Sequence, residues 1–287
     1  MAEPGALLRR LDIQSRQRRI VELVRERGFA SIEAMSAYFS VSAQTIRRDI
    51  KRLSDHDLLV RYHGGAGLPA GGDLLAYPNR KVRNTAAKQA IGKLVAREIP
   101  NGASLFIDIG TTTEAVAEAL LDHEKLRIVT NHICVVSILS QRPDFEINLA
   151  GGMVRNRDQA VTGEATTEFL RRFRLSYGIF GIGAVHDDGQ MLDYDYRDVQ
   201  VSQTAMAISR RHFVVADRSK FEGDAMVALG HVSEVDALFT DSPPPPAIVD
   251  VLRKNGVQLV VVGADGKAVE DTRHGDEARP VAVGEGV

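Results

Sequence analysis

The chain has one cysteine, Cys134, so no intramolecular disulfide can form and a reducing compartment is expected. It has no run of about 18 apolar residues, so no membrane-spanning helix is expected. The first 19 residues lack the apolar centre of a signal peptide. A soluble cytoplasmic protein is the expectation. The eight histidines show no metal-ligand spacing, so neither a metal nor a cofactor is expected. Net charge is also nearly absent, at −2. What is present is ordinary: 44% hydrophobic and 26% charged residues, which excludes disorder, collagen or a coiled-coil rod for most of the chain. At about 100–200 residues per domain, 287 residues suggest two domains.

The small net charge hides a division. Residues 1–66 carry 12 basic and 8 acidic side chains, and the rest carries 24 and 30. A basic small part on an acidic larger one suggests an anionic polymer as partner of the former.

In residues 14–66 the apolar spacing gives three short helices. Ile20, Leu23 and Val24 share one face, and Gly28 closes that helix. Ser31 has N-cap chemistry before Ile32, Met35 and Phe39, with Phe29-Ala30 as an extended link. Ser42 caps a third helix with Ile46, Ile50 and Leu53 inward. Residues 58–65 then read as strand, turn and strand. This is the pattern of a winged helix-turn-helix, an α+β module.

On the third helix the inward stripe leaves Gln44, Arg47, Arg48 and Lys51 outward, with Thr45 near the start. Arginine pairs bidentately with guanine, glutamine with adenine, and threonine meets a thymine methyl or a phosphate. Position on the second helix of the motif favours contact with DNA over a merely solvated basic face. Asp49, at the edge of the buried stripe, is expected to pair with an arginine of its own module. At the wing, Arg61 and His63 beside Gly64-Gly65 fit either close approach to a duplex or an ordinary hairpin.

Residues 67–82 mix glycine, proline and polar residues and read as a linker. Residues 83–262 alternate helices with near-continuous apolar strands, which implies an α/β domain with a mainly parallel sheet covered on both faces. A helix is expected over residues 199–211, and the last strand ends at Val262. Residues 263–287 are rich in Gly, Asp and Glu without period and read as a disordered tail.

Polar and glycine residues collect where these strands end: Asp108 with Gly110, Thr111, Thr112 and Thr113, then Thr130-Asn131, Gly151-Gly152, Gly181 with Gly183, and Asp217 to Lys220. The carboxyl ends of parallel strands form a ligand crevice. A Gly-Thr-Thr-Thr loop opening a helix offers N–H groups and hydroxyls to an anion. Lys220 supplies a balancing charge and Asp108 an acceptor for sugar hydroxyls. Taken singly, these are capping threonines and a surface lysine; jointly they point to a site for a phosphorylated small molecule. Cys134, among Ile133, Val135 and Val136, reads as a core residue.

The stretch from Val41 to Asp49, with His63-Gly64-Gly65-Ala66 behind it, resembles the DeoR family of bacterial transcriptional regulators. The second domain resembles that family's sensor domain through Ile107 to Thr112, Thr130-Asn131, Gly151-Gly152, Gly163-Glu164 and Asp217 to Phe221. Pro100-Asn101-Gly102, Phe106 to Thr112, Leu149 to Gly152 and Thr240 to Pro245 are most similar to members acting on glycerol metabolism. The resemblance implies a repressor, a homo-dimer or homo-tetramer on operator DNA, released by glycerol 3-phosphate.

The sensor fold also resembles sugar-phosphate isomerases of the ribose-5-phosphate type. Those carry an Asp-Gly-Ala-Asp-Glu segment at a strand end. Here Gly181-Ile182-Gly183-Ala184-Val185 holds no carboxylate, and enolisation needs a placed base, so no enzyme is expected. Asp187, Asp188, Asp193 and Asp195 follow and keep an isomerase with a DNA-binding appendage as the alternative. A regulator answering another phosphorylated sugar is a second.

Overall fold

Ile20, Leu23 and Val24 are buried together on one face of the first helix, α1 (residues 15–24). The computed structural model describes residues 15–24, 29–55, 58–62, 65–67, 77–156, 158–223, 225–263 and 268–271. Two compact units divide the chain, Met1–Arg83 and Asn84–Val287.

In the first unit α1 is followed by β1 (Phe29–Ser31), α2 (Ile32–Phe39), α3 (Ala43–Asp55), β2 (Val60–Tyr62), β3 (Gly65–Gly67) and α4 (Tyr77–Val82). Ser31 caps α2 by accepting from the Ala34 N–H at 3.1 Å. Ser40 ends that helix in the left-handed region, at φ 51°. The strands form one antiparallel sheet in the order β1-β3-β2, with Ala66 opposite both Ala30 and Arg61. Phe29-Ala30 is thus a strand of the wing sheet. Ile20, Met35, Ile46, Ile50, Leu59 and Ala66 close the core between helices and sheet. Each large aliphatic side chain buried there contributes about 1.5–3 kcal/mol.

The expected linker at 67–82 needs correction at both ends. Gly67 pairs with Phe29 and Val60, and Tyr77–Val82 is helical. Pro78 sits in that helix's first turn, where its missing N–H costs nothing and its fixed φ suits the start. A proline taken for a loop signal is here a helix-start signal.

The second unit runs α5 (Thr85–Glu98), β4 (Ser104–Ile107), α6 (Thr111–Ala119), β5 (Arg127–Thr130), α7 (Ile133–Leu139), β6 (Glu146–Leu149), β7 (Met153–Arg155), β8 (Ala160–Thr162), α8 (Glu164–Leu170), β9 (Leu175–Gly181), β10 (Ala184–Val185), β11 (Gln190–Asp193), α9 (Tyr196–Ile208), β12 (Ser209–Ala216), β13 (Val227–His231), β14 (Ala237–Thr240), α10 (Pro246–Lys254), β15 (Gln258–Val262) and β16 (Ala268–Asp271). Eight of these strands form one sheet, in the order β16-β15-β14-β12-β9-β4-β5-β6. Seven are parallel, and β16 returns antiparallel on β15. Alternate residues feed two cores. Phe106, Phe180 and Val214 pack on one face; Leu105, Ile107, Ile179, Phe213 and Phe239 pack on the other. Burial on both faces explains why the strands read as apolar runs rather than alternating ones.

Three further expectations change. The segment after 262 is not wholly a tail, because 268–271 pair with 260–262 at the sheet edge; residues 264–267 and 272–287 lie outside those described. The helix expected at 199–211 spans Tyr196–Ile208, because Asp195 caps it by accepting from the Arg197 N–H at 3.0 Å and the next strand takes over at Ser209. The hairpin β7–β8 and the small sheet β10-β11-β13 escaped the reading, since strands of two to five residues are too short to show a period.

Candidate functional site

Helix α3 starts at a serine cap. The Ser42 hydroxyl accepts from the Thr45 N–H at 3.2 Å and lies 2.9 Å from the Thr45 hydroxyl. The cap sets the helix phase, and the phase sends Ile46, Asp49, Ile50 and Leu53 inward. Gln44, Arg47, Arg48, Lys51 and Arg52 are exposed, and Thr45 is half-buried. Asp49, 3% exposed, accepts from Arg16 Nε at 2.7 Å and from Gln17 Nε2 at 3.1 Å. The expected pairing of Asp49 within its own module is therefore present. A cleft of about 440 Å³ opens there, with Arg16, Arg48, Lys51 and Arg52 among its lining residues. Arg61 lies on β2 opposite Ala66. His63 lies outside the described residues.

In the second unit the parallel strands end on one edge of the sheet. From β4 the strands that follow run outward through β5 to β6; from β9 they run the other way through β12 and β14 to β15. The order reverses between β4 and β9, and a crevice opens at such a point. On one side of this reversal is the loop Asp108 to Thr111. Gly110 takes φ +140°, and no side chain caps the first turn of α6. Thr113, fully buried, donates its hydroxyl to the Gly110 carbonyl at 2.8 Å, while Gly110 and Thr111 are half-buried and Thr112 is 6% exposed. On the other side is Gly181 to Gly183, packed against that loop. A Cβ on Gly181 would fall 2.9 Å from the Ile109 carbonyl oxygen, so the two loops touch only because this residue is glycine. A Cβ on Gly183 would lie 3.0 Å from the Asp193 Cα.

The turn Arg218–Lys220 follows the adjacent strand β12. Asp217 caps it, accepting from the Ser219 N–H and hydroxyl and from Asn84 Nδ2. Burial works to raise the Asp217 pKa, but the Ser219 hydroxyl and the Lys220 charge outweigh it and hold the carboxyl below the usual range. Three neighbouring strand ends thus bring together Asp108, Gly110, Thr111, Gly181 and the Asp217–Lys220 turn.

The other expected residues lie on the β5 and β6 side of β4. Thr130, fully buried, donates to the Ile107 carbonyl at 2.7 Å. Asn131 donates to the Val161 carbonyl at 3.2 Å, and its Oδ1 is buried without a hydrogen-bond partner among the described residues. Gly151 and Gly152 follow β6, the outermost strand on that side. Gly152, at φ +152°, leaves only 2.3 Å between a built Cβ and Thr166 Oγ1, so it serves close packing of that loop.

The sequence reading did not assemble the carboxylates behind Asp108. Asp108 is 2% exposed; its Oδ1 accepts from the Ile109 N–H at 2.8 Å, and its Oδ2 lies 2.6 Å from Ser202 Oγ on α9. Burial, with the charges of Asp193 and Asp198 adding, pushes its pKa up to about 8 against the Ser202 and Ile109 hydrogen bonds. At neutral pH the carboxyl is therefore largely protonated. Ser202 Oγ is also 3.1 Å from the Asp198 carbonyl oxygen, so its single proton goes there when Asp108 keeps its own. Arg155 holds Asp158 and Asp198 at 2.8 Å and Asp195 at 3.0 Å. Burial pushes Asp198 up to about 6 despite that pairing, and the Arg197 hydrogen bond, with Arg155, holds Asp195 down at about 2. The signal available was the spacing Asp195, Asp198, Ser202, which places three polar groups on one face of a helix. Among the described residues, Glu114, His132 and Cys134 bring their potential ligand atoms within 4.8 Å of one another.

The model of the DeoR-like helix-turn-helix domain matches residues 16–70, and that of the DeoR C terminal sensor domain matches residues 83–242. The chain belongs to the DeoR family. Among curated DeoR relatives, it is 47% identical to the glycerol-3-phosphate regulon repressor of Escherichia coli (strain K12) over 84% of this chain and 95% of that one. Its identity to the repressor of the same name from Haemophilus influenzae is 48%, over 86% and 96%. The HTH-type transcriptional repressor CsqR of Escherichia coli is 38% identical over 87% and 96%. Among solved structures, ribose 5 phosphate isomerase A from Neisseria gonorrhoeae aligns with this DeoR chain at a TM-score of 0.33 and 18% identity, over 46% of this chain and 52% of that one. That likeness is too loose to bear on chemistry.

Proposed function

We propose that this DeoR-family protein is a DNA-binding repressor of glycerol and glycerol-3-phosphate genes, and that glycerol 3-phosphate releases it from its operators. The observation that carries the reading is the exposed face of α3, with Gln44, Arg47, Arg48 and Lys51 outward, in a chain 47% identical to a glycerol-3-phosphate regulon repressor over nearly that protein's whole length. Arginine and glutamine suit base edges, and lysine suits phosphate. Arg61 and His63 of the wing contribute where the hairpin meets the backbone.

The effector's phosphate lies on the N–H groups opening α6, from Gly110 to Thr112, and on the Thr111 hydroxyl, with Lys220 as counter-charge; the Thr113 hydroxyl is already given to the Gly110 carbonyl. Its hydroxyls meet the lone pairs of Asp108 that Ile109 and Ser202 leave unused. A protonated Asp108 adds no charge against the incoming dianion, which supports an anionic ligand in a crevice otherwise rich in aspartates.

The protein is not an enzyme on this reading. Gly181-Ile182-Gly183-Ala184-Val185 offers no carboxylate to act as base. Fluorescence anisotropy on operator DNA, with a panel of phosphorylated metabolites, tests the function. Release by glycerol 3-phosphate at the lowest concentration is expected. Release by a different sugar phosphate alone would move the protein to another effector, and turnover of pentose or hexose phosphates would make it an isomerase.

A further inference from the structure

Glu114, His132 and Cys134 take no part in the proposed DNA or effector contacts. Glu114 stands in the first turn of α6; His132 precedes α7 and Cys134 lies in its first turn. One ligand atom from each lies within 4.8 Å of the other two, and His132 Nε2 is 3.8 Å from Glu114 Oε1. Glu114 is 2% exposed and His132 fully buried, while Cys134 is half-buried, with its thiol 3.4 Å from Gln159 Oε1.

We propose that Glu114, His132 and Cys134 bind a divalent transition-metal ion of the zinc class. The chemistry of the donors selects the class. Zinc accepts carboxylate oxygen, imidazole nitrogen and thiolate sulfur at about 2.0–2.3 Å, whereas calcium and magnesium demand oxygen alone. Bonds of that length put tetrahedral donors roughly 3.3–3.8 Å apart. The N–O pair belongs at the short end of that range, and the 3.8 Å between His132 Nε2 and Glu114 Oε1 is within about half an ångström of it. The wider separations close by rotation of Cys134, whose side chain is short, unbranched and beside solvent. One carboxylate and one thiolate neutralise the ion's two charges, so the occupied site carries no net charge into the interior. Three protein ligands leave a fourth position, for water or for Gln159 Oε1.

His132 Nε2 faces the Asp158 carbonyl oxygen at 3.1 Å. Binding exchanges that hydrogen bond for the metal, so the imidazole proton moves to Nδ1 and the thiol proton goes to solvent. The ion ties the start of α6 to the start of α7, one turn beyond the loop that opens the crevice. It therefore acts as a clip on the strand-end loops and stabilises the folded chain by mass action.

The test uses the full chain, stripped with a chelator and titrated with zinc or cobalt(II). Expected results are one ion per chain retained through gel filtration, a melting temperature that rises with free zinc, and a thiolate-to-cobalt charge-transfer band with tetrahedral ligand-field absorption. Cys134→Ser is expected to lose the charge-transfer band, and both Cys134→Ser and His132→Asn to weaken zinc binding by about 10-fold or more, with far-ultraviolet circular dichroism unchanged. The wild-type spectrum stands whether or not a variant folds well. No ion at stoichiometric loading, a cobalt spectrum without the sulfur band, or wild-type affinity in both variants would overturn the site.

Discussion

Arg47 and Arg48 illustrate how much rests on single exposed side chains. Neither touches the core, so replacing either leaves the fold in place. Arg47→Ala or Arg48→Ala is expected to weaken operator binding by about 1–3 kcal/mol, and loss of a phosphate contact lowers the salt slope by about one. Anisotropy across a salt series measures both, and wild-type affinity in the two variants would remove the assignment of α3 as the reading helix. Asp108 works in the opposite way, through burial. Its carboxyl titrates near 8 in the folded chain against an ordinary 3.8. Between those values the folded state holds a proton that the unfolded chain has released. The associated stability is complete below about pH 4 and is lost as the pH climbs to about 8. Asn in its place reproduces the neutral acid, accepting from Ile109 and donating to Ser202. Melting temperatures of Asp108→Asn are therefore expected to match wild type below about pH 4 and to exceed it increasingly towards about pH 8. Parallel profiles across that range would show that Asp108 is ionised throughout.

At the scale of elements, the reading helix is aimed by its neighbour. Asp49 joins α3 to α1 through Arg16 and Gln17, across 33 and 32 residues of chain. Asp49→Ala leaves a partly buried guanidinium and an amide without their acceptor and costs about 1–3 kcal/mol. The expected readouts are a lower melting temperature and weaker operator binding together. A cycle with Arg16→Ala separates the pair from its surroundings: if the interaction matters, the double variant loses little more than Asp49→Ala alone. Additive losses would mean that the two side chains act independently.

For the whole molecule, one winged helix reads too few base pairs for high specificity, and a two-fold dimer on an inverted repeat doubles its contacts. Light scattering at micromolar concentration is expected to give a dimer or tetramer, and a monomeric mass would contradict the reading. Effector release demands a ligand that prefers the conformation unfit for DNA. A charged hydrogen bond contributes about 1.5–3 kcal/mol, so Lys220→Ala is expected to weaken glycerol 3-phosphate binding by roughly 10–150-fold while leaving operator binding intact. Such a protein stays on its operator at effector concentrations that free the wild type. Calorimetry beside operator release decides it, and a wild-type response would place the phosphate elsewhere.

The stripe Ile46, Ile50, Leu53 was enough to orient α3, because helical period alone decides which side chains turn away from a core. The apolar runs ending in Asp108, Thr130 and Gly181 were enough to locate a parallel sheet and the edge where its loops gather. Those readings rest on local periodicity, which sequence carries in full. Neighbours brought together by crossovers are another matter. Ser202 meets Asp108 across 94 residues, Arg155 meets Asp195 across 40, and Glu114 meets His132 and Cys134 from a different helix. The same holds for β16, which exists because the edge of β15 was open to it, and for the burial that keeps a proton on Asp108. Periodicity says which way a side chain faces; only the packed chain says what it faces, and partners, burial and proton affinity follow from that.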